Sequence, residues 1–313
     1  MNRRTLLFLA VGVAVFGGYA ALLVWILTGR GLPLPGPGGV VLLAGGVAVQ
    51  ASAAVLYGRQ FRHAVSQTGR ELQRRSALRA ALIGSGVARL LPAGGAVTPV
   101  AMSWTVRSEV RGAAGAAVRV TTLNYAGLLI GTGGVLLWIA LRDRFPQPAI
   151  APATVLGIFG LVVGGALMLG STRLGSLGRR LPERIRRRME SVFEDHAVDG
   201  RALLLLSSRI VCEAAVLGFV MFAFGIRITP AQVFVVFGIS QLVGGLPGTP
   251  GGVGLIEAGM VGALALVGVP AEISLAPTLV FRVISYWLPV AAGLVAGGLQ
   301  FLKARDVGSL EAG

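Results

Sequence analysis

QLVGGLPGTPGGVGLIEAG, residues 241–259, lies between apolar runs long enough to cross a bilayer, yet it is built from residues that break helices. Pro247 and Pro250 lack a backbone donor, and the glycines around them let the chain bend or approach a ligand closely. Glu257 follows directly. Unpaired backbone is costly in hydrocarbon, so irregular chain at membrane depth must be buried in protein or line a cavity. The stretch reads as a broken, re-entrant element at the working centre of an all-α integral membrane protein.

Composition agrees. Apolar residues form 54% of the 313 residues and charged ones 13%, with a mean hydropathy of +0.78. That profile fits a multi-pass membrane protein. MNRR followed by a long apolar run reads as a retained first helix, because the run is too long for a signal peptide. The single cysteine, Cys212, excludes an intrachain disulfide and a cysteine metal cluster. A net charge of +15 raises the question of nucleic acid. The basic residues cluster between apolar runs, in segments 58–79 and 171–188, where they mark cytoplasmic loops and meet anionic headgroups. Topology therefore accounts for the charge, and no nucleic-acid partner is expected.

About six full spans are expected, near 5–27, 38–58, 116–141, 151–170, 202–225 and 275–302. Two more apolar segments, interrupted at Pro92 and Pro247, are expected as hairpins that enter and leave on one side. Both termini and the loops 59–79, 105–112 and 171–201 then fall on the cytoplasmic face of the cell's inner membrane. Those regions hold 20 basic residues against four on the opposite face, as the positive-inside rule requires.

The chain echoes itself. GSGVARLLPAGGAV, residues 84–97, resembles ISQLVGGLPGTPGGVG, residues 239–254, and in each a serine (Ser85, Ser240) precedes a proline (Pro92, Pro247) by seven residues. Arg119-Val120 and Arg282-Val283 follow, each ahead of a tyrosine. Broken segments in opposite orientation point to an inverted repeat with its site between them. The expectation is one membrane domain over 1–313, with halves near 38–145 and 200–302.

Residues 246–294 also carry a recognisable signature: a PGG-x-G-x-x-E element (Gly251, Gly252, Gly254, Glu257), a Gly-Val-Pro turn (Gly268, Val269, Pro270) and an Arg-bearing helix (Arg282, Tyr286, Pro289). This pattern resembles the lysylphosphatidylglycerol synthase transmembrane-region family of flippase-like membrane proteins. Segment 84–119 is similar to that family's first block but departs from it: the usual Pro-Gly-x-x-Gly-Glu reads PAGGAV here, and the acid is displaced to Glu109. The resemblance implies a lipid translocase fold. The chain ends at Gly313 with a short tail, so synthase activity is not expected from it.

An arginine near the bilayer centre costs at least ~2.5–3.5 kcal/mol on insertion scales and needs a partner or a polar cavity. Its fork of donors also suits a phosphate. Arg89, Arg119 and Arg282 are therefore candidate substrate contacts, together with Glu257 and the backbone of Gly251, Gly252 and Gly254. Arg282 is the expected phosphate anchor, with Glu257 as counter-ion or coupling site. Arg209 and Glu213, four residues apart on one helix face, read as a structural pair, and Pro92, Pro247 and Pro250 as structural breaks. His63 and His196 lie outside the spans, which leaves no base or metal ligands for membrane catalysis. There is no GK[ST] step for a nucleotide.

The expected function is lipid translocation by a protein that is not an enzyme and needs no cofactor. Its partners are membrane lipids with an anionic or lipid-linked headgroup, and a lipid-synthesising enzyme could act beside it. The alternatives are a secondary transporter of a small soluble solute and a membrane scaffold for a lipid-modifying enzyme.

Overall fold

In the computed structural model the described residues are 17, 21, 24, 35–91, 94–110, 112–142, 147–172, 198–244 and 250–310. The expected first span, Pro92, Pro247 and most of the 171–201 loop lie outside them. The described residues are helical with no strand, and five helices are long and apolar enough to cross a membrane.

Helix α1 (Pro37–Ser66) starts with a proline in its first turn, where the missing donor costs nothing. At 30 residues it runs past the expected span. Arg59 and Arg62 therefore sit on its last turns rather than in a loop, and Arg62 Nε closes the turn on Leu72 O at 3.0 Å. Two shorter helices follow, α2 (Arg74–Leu90) and α3 (Gly94–Thr105), packed as a pair. Helices α4 (Ala114–Ala140) and α5 (Gln147–Thr172) form an antiparallel pair with a glycine seam. A Cβ on Gly160 would lie 2.8 Å from Leu129 O, and one on Gly164 3.0 Å from Ala126 O. Only hydrogen at those positions lets the backbones come so close.

Helix α6 (Gly200–Ala223) is capped by Asp199, whose carboxylate accepts from the Ala202 N–H at 2.8 Å. A Thr229–Gln232 capping box opens α7 (Pro230–Gly244). A tight turn, Pro250–Gly252, leads into α8 (Leu255–Leu266). Helix α9 (Ala271–Arg282) passes through a π-helical turn, Val283–Trp287, into α10 (Leu288–Leu310).

The two short-helix pairs approach from opposite ends. The open end of the α2–α3 pair is joined by Ser76 donating to Glu109, and that of α7–α8 by Gln232 Nε2 donating to Val267 O at 3.4 Å. Helix α1 runs antiparallel to α6, with Gly39 beside Ala223 at one end and His63 bonded to Asp199 at the other. The α2–α3 pair opens beside the His63–Asp199 end, since α2 follows α1 after a short turn. The α7–α8 pair opens beside Ala223. At 1.5 Å per residue those ends of α6 are about 36 Å apart. A 12-residue helix such as α3 or α8 reaches only about 18 Å, so each pair stops partway. One core, rich in alanine, joins α1, α2, α3 and α4; another, rich in leucine, valine and methionine, joins α6, α7, α8 and α9.

Candidate functional site

The closed ends of the two pairs meet. Gly251 has φ +59° and lies against both Tyr286 and the Arg89 carbonyl; a Cβ there would fall inside the van der Waals contact distance of each. Glycine is required at this position by conformation and by space. Tyr286 Oη donates to Arg89 O at 2.6 Å. That carbonyl belongs to the last turn of α2, where helical carbonyls have no intrahelical donor, so Tyr286 caps α2 from the other half of the chain.

Between the tips lies a cavity of about 470 Å³, within the range of ligand sites. Its wall includes Ser85, Arg89 and Thr98 from the first pair, and Gln241, Gly251 and Gly252 from the second. Gln50 and Tyr57 of α1, Asn124 of α4, Arg209 and Glu213 of α6, and Arg282, Ser285 and Tyr286 close it. The π turn after Arg282 contributes the last two of these, a distortion frequent at functional sites.

Each charged group has a defined setting. Arg282 is 3% exposed; its Nε donates to Glu257 Oε1 at 2.8 Å and its Nη2 to Gly251 O at 3.1 Å. Its guanidinium also stacks 4.2 Å from the Tyr286 ring centre. Glu257 Oε2 accepts from the Gly254 N–H at 2.7 Å, so this one carboxylate caps α8 and neutralises Arg282. Gly254, with φ +87°, starts the helix. Arg209 Nη2 pairs with Glu213 Oε1 at 2.8 Å, and its guanidinium lies 4.0 Å over the Tyr57 ring. Arg89 differs. Its Nη1 donates to Ser85 O at 3.0 Å, one turn back on its own helix, and no carboxylate among the described residues lies within ion-pair distance.

Of the substrate-contact candidates, Arg89, Arg282, Gly251 and Gly252 border the cavity, and Glu257 stands behind Arg282. Arg209 and Glu213, read from the sequence as a structural pair, are a pair and also part of the wall. Arg119 lies elsewhere. It is buried near the His63–Asp199 end of α6, where its Nη1 donates to Gln67 Oε1 at 2.7 Å. In that cluster the His63 imidazole bonded to Asp199 holds its carboxyl below the usual carboxylate range, helped by the Ala202 N–H. Glu109 is at the open end of the first pair, far from the tips. Gln50, Asn124, Tyr57 and Ser285 went unnoticed in the sequence. A lone polar residue in an apolar helix was the available signal for Gln50 and Asn124.

Two curated relatives, both UPF0104 membrane proteins of Methanothermobacter thermautotrophicus (strain Delta H), are similar over part of their length. One is 37% identical over 93 residues, covering 30% of this chain and 27% of the relative. The other is 28% identical over 130 residues, covering 38% of each. The matched stretch thus spans well under half of either relative. The family model described as the lysylphosphatidylglycerol synthase TM region matches residues 9–293, a stretch that contains both short-helix pairs and the whole cavity wall. The chain belongs to the lysylphosphatidylglycerol synthase transmembrane-region family.

Proposed function

We propose that this protein moves the polar headgroup of a phosphate-bearing lipid between leaflets, acting as a carrier and not as an enzyme. The observation that carries the reading is the arginine-bearing cavity held between two opposed, broken helical hairpins. Embedded in a bilayer, such a cavity gives a charged headgroup a polar stopping point partway across. The hairpins are then re-entrant elements of an inverted repeat.

The wall also favours a lipid over a soluble solute. Its exposed members are Ala96 on α3 and Tyr125 on α4, so the mouth lies between those helices. Val100 and Trp104 continue from Ala96 at four-residue steps on the same face of α3, and both are exposed. Acyl chains can lie along this apolar stripe while the headgroup enters. Trp104 and Trp138 sit near the open ends of different helices, each under an arginine (Arg107, Arg142), as interfacial anchors do. The location in this reading is the inner membrane, with both termini cytoplasmic.

Arg282 holds the second hairpin's tip closed through Gly251 and Glu257, which leaves the headgroup to another arginine. The test is reconstitution into liposomes containing a headgroup-labelled fluorescent phospholipid, followed by an impermeant quencher. Wild-type protein is expected to expose the inner-leaflet label, where protein-free vesicles protect it. Protection equal to that of empty vesicles, in correctly folded preparations, rejects the reading. Uptake of a water-soluble phosphodiester in its place supports the solute transporter.

A further inference from the structure

We propose that the cavity binds one singly charged phosphodiester group, and that Arg89 is the residue that contacts it. The proposal rests on the translocase reading and names the charge class of its substrate.

Charge counting comes first. Three guanidiniums reach the cavity, from Arg89, Arg209 and Arg282, against two carboxylates, Glu213 in the wall and Glu257 behind Arg282. Arg282 is ion-paired with Glu257 and also donates to Gly251 O, and Arg209 is paired with Glu213. Among the described residues Arg89 makes one side-chain hydrogen bond, to its own helix, and it lines the cavity without a carboxylate partner. The site therefore carries one uncompensated positive charge among its described residues. A monoanion neutralises that charge. A diphosphate-linked lipid leaves a net negative charge in a site of low dielectric, and a neutral glycolipid leaves Arg89 without a partner.

A second observation is independent of charge. Gln50 is 5% exposed and on the wall, yet its Oε1 accepts no hydrogen bond from the described residues; Asn124 Oδ1, Arg209 Nε and Ser285 Oγ, also on the wall, are equally unpartnered there. Buried polar atoms are nearly always satisfied in native proteins, so four on one cavity mark a site for a polar ligand or its water. Arg89 is held in place for this. Its carbonyl is fixed by Tyr286 Oη and its helix end abuts Gly251, so the guanidinium approaches from a braced tip.

The experiment measures binding in neutral detergent, where no transport occurs. The probes are dihexanoyl phosphatidylglycerol as the monoanion and dihexanoyl phosphatidic acid at about pH 9, above its second phosphate ionisation. Soluble glycerophosphoglycerol is the third probe. Wild-type protein is expected to prefer phosphatidylglycerol to phosphatidic acid by about tenfold or more. Arg89→Gln should lower phosphatidylglycerol affinity about tenfold or more at unchanged melting temperature, with Arg89→Lys intermediate. Glu213→Gln frees a second positive charge and should shift the preference toward phosphatidic acid. Arg89→Gln with Glu213→Gln restores the charge count but not the contact, and should bind phosphatidylglycerol better than Arg89→Gln alone and less tightly than wild type.

A wild-type preference for the dianion, unchanged binding in Arg89→Gln, or a double variant no better than the single one overturns the proposal. Glycerophosphoglycerol binding as tightly as the lipid keeps the charge assignment and rejects the lipid. If the charge pattern holds while liposomes stay unscrambled, the site stands and the translocase reading falls.

Discussion

Two hairpin tips meet across one cavity, each with an arginine beside it, but only one of them is electrostatically closed. At the second tip Glu257 bonds Arg282 and the Gly254 N–H together, and Arg282 reaches on to Gly251 O. At the first tip the Arg89 side chain, among the described residues, donates to its own helix alone. The sequence difference behind this is small: PGG-x-G-x-x-E places an acid in the first turn of α8, whereas PAGGAV starts α3 with none. One tip is a finished structural joint, and the other leaves a charge for something else to complete.

Embedded in a bilayer, the two short-helix pairs open on opposite faces. Glu71, in the turn before α2, and Glu272, at the start of α9, are both exposed and lie beside the open ends of the first and second pairs. Single cysteines at these positions in a Cys212→Ser background should react with an impermeant maleimide from opposite sides of oriented vesicles. This all-or-none result is the largest effect expected. Labelling from one side would place both hairpins on one face and remove the opposition.

The next largest effect separates the tips energetically. Glu257→Ala strands Arg282, 3% exposed, without its counter-ion and leaves the start of α8 without its carboxylate. Removing one partner of a buried pair typically costs ~3–5 kcal/mol. Arg89→Gln breaks no ion pair, so its melting temperature in detergent should stay near that of wild type. Equal losses in the two variants would show that Arg89 is as structural as Arg282.

Much of this architecture was legible in the chain. Long apolar runs gave the positions of five described spans, because hydrocarbon thickness fixes a minimum length that few other constraints blur. The glycines of the second interrupted segment were visible too, and Gly251, Gly252 and Gly254 all have positive φ. The Arg209–Glu213 pair followed from spacing alone. Which arginines share the cavity was not legible. Arg119 and Arg282 occupy matching places in the two motif echoes, but α4 carries Arg119 to a helix end while Arg282 falls just before a π turn at the tips. The role of Arg282 depended on a count of its partners, and Gly251 O as an acceptor has no signature in the sequence. Nor could spacing show that α6 supplies a carboxylate, Glu213, to the cavity wall, while Glu257 of α8 stands behind Arg282.

The smallest effect tests the joint between the tips. Tyr286 serves both: its ring lies under Arg282, and its hydroxyl donates to Arg89 O at 2.6 Å. Tyr286→Phe keeps the ring and deletes the hydroxyl, leaving a last-turn carbonyl of α2 without that donor. A single hydrogen bond is worth about 1 kcal/mol, somewhat more if the stranded carbonyl stays dry. Tyr286→Leu also removes the aromatic face under the guanidinium, a further ~0.5–2 kcal/mol. The expected order in detergent melts is therefore wild type, then Phe slightly lower, then Leu. Phosphatidylglycerol binding should weaken modestly in Phe, because the hydroxyl braces the helix end that carries Arg89 without touching the ligand. If Phe instead matches wild type in both stability and binding, the two tips are joined by packing at Gly251 alone. The asymmetry between them would then lie wholly in the missing carboxylate.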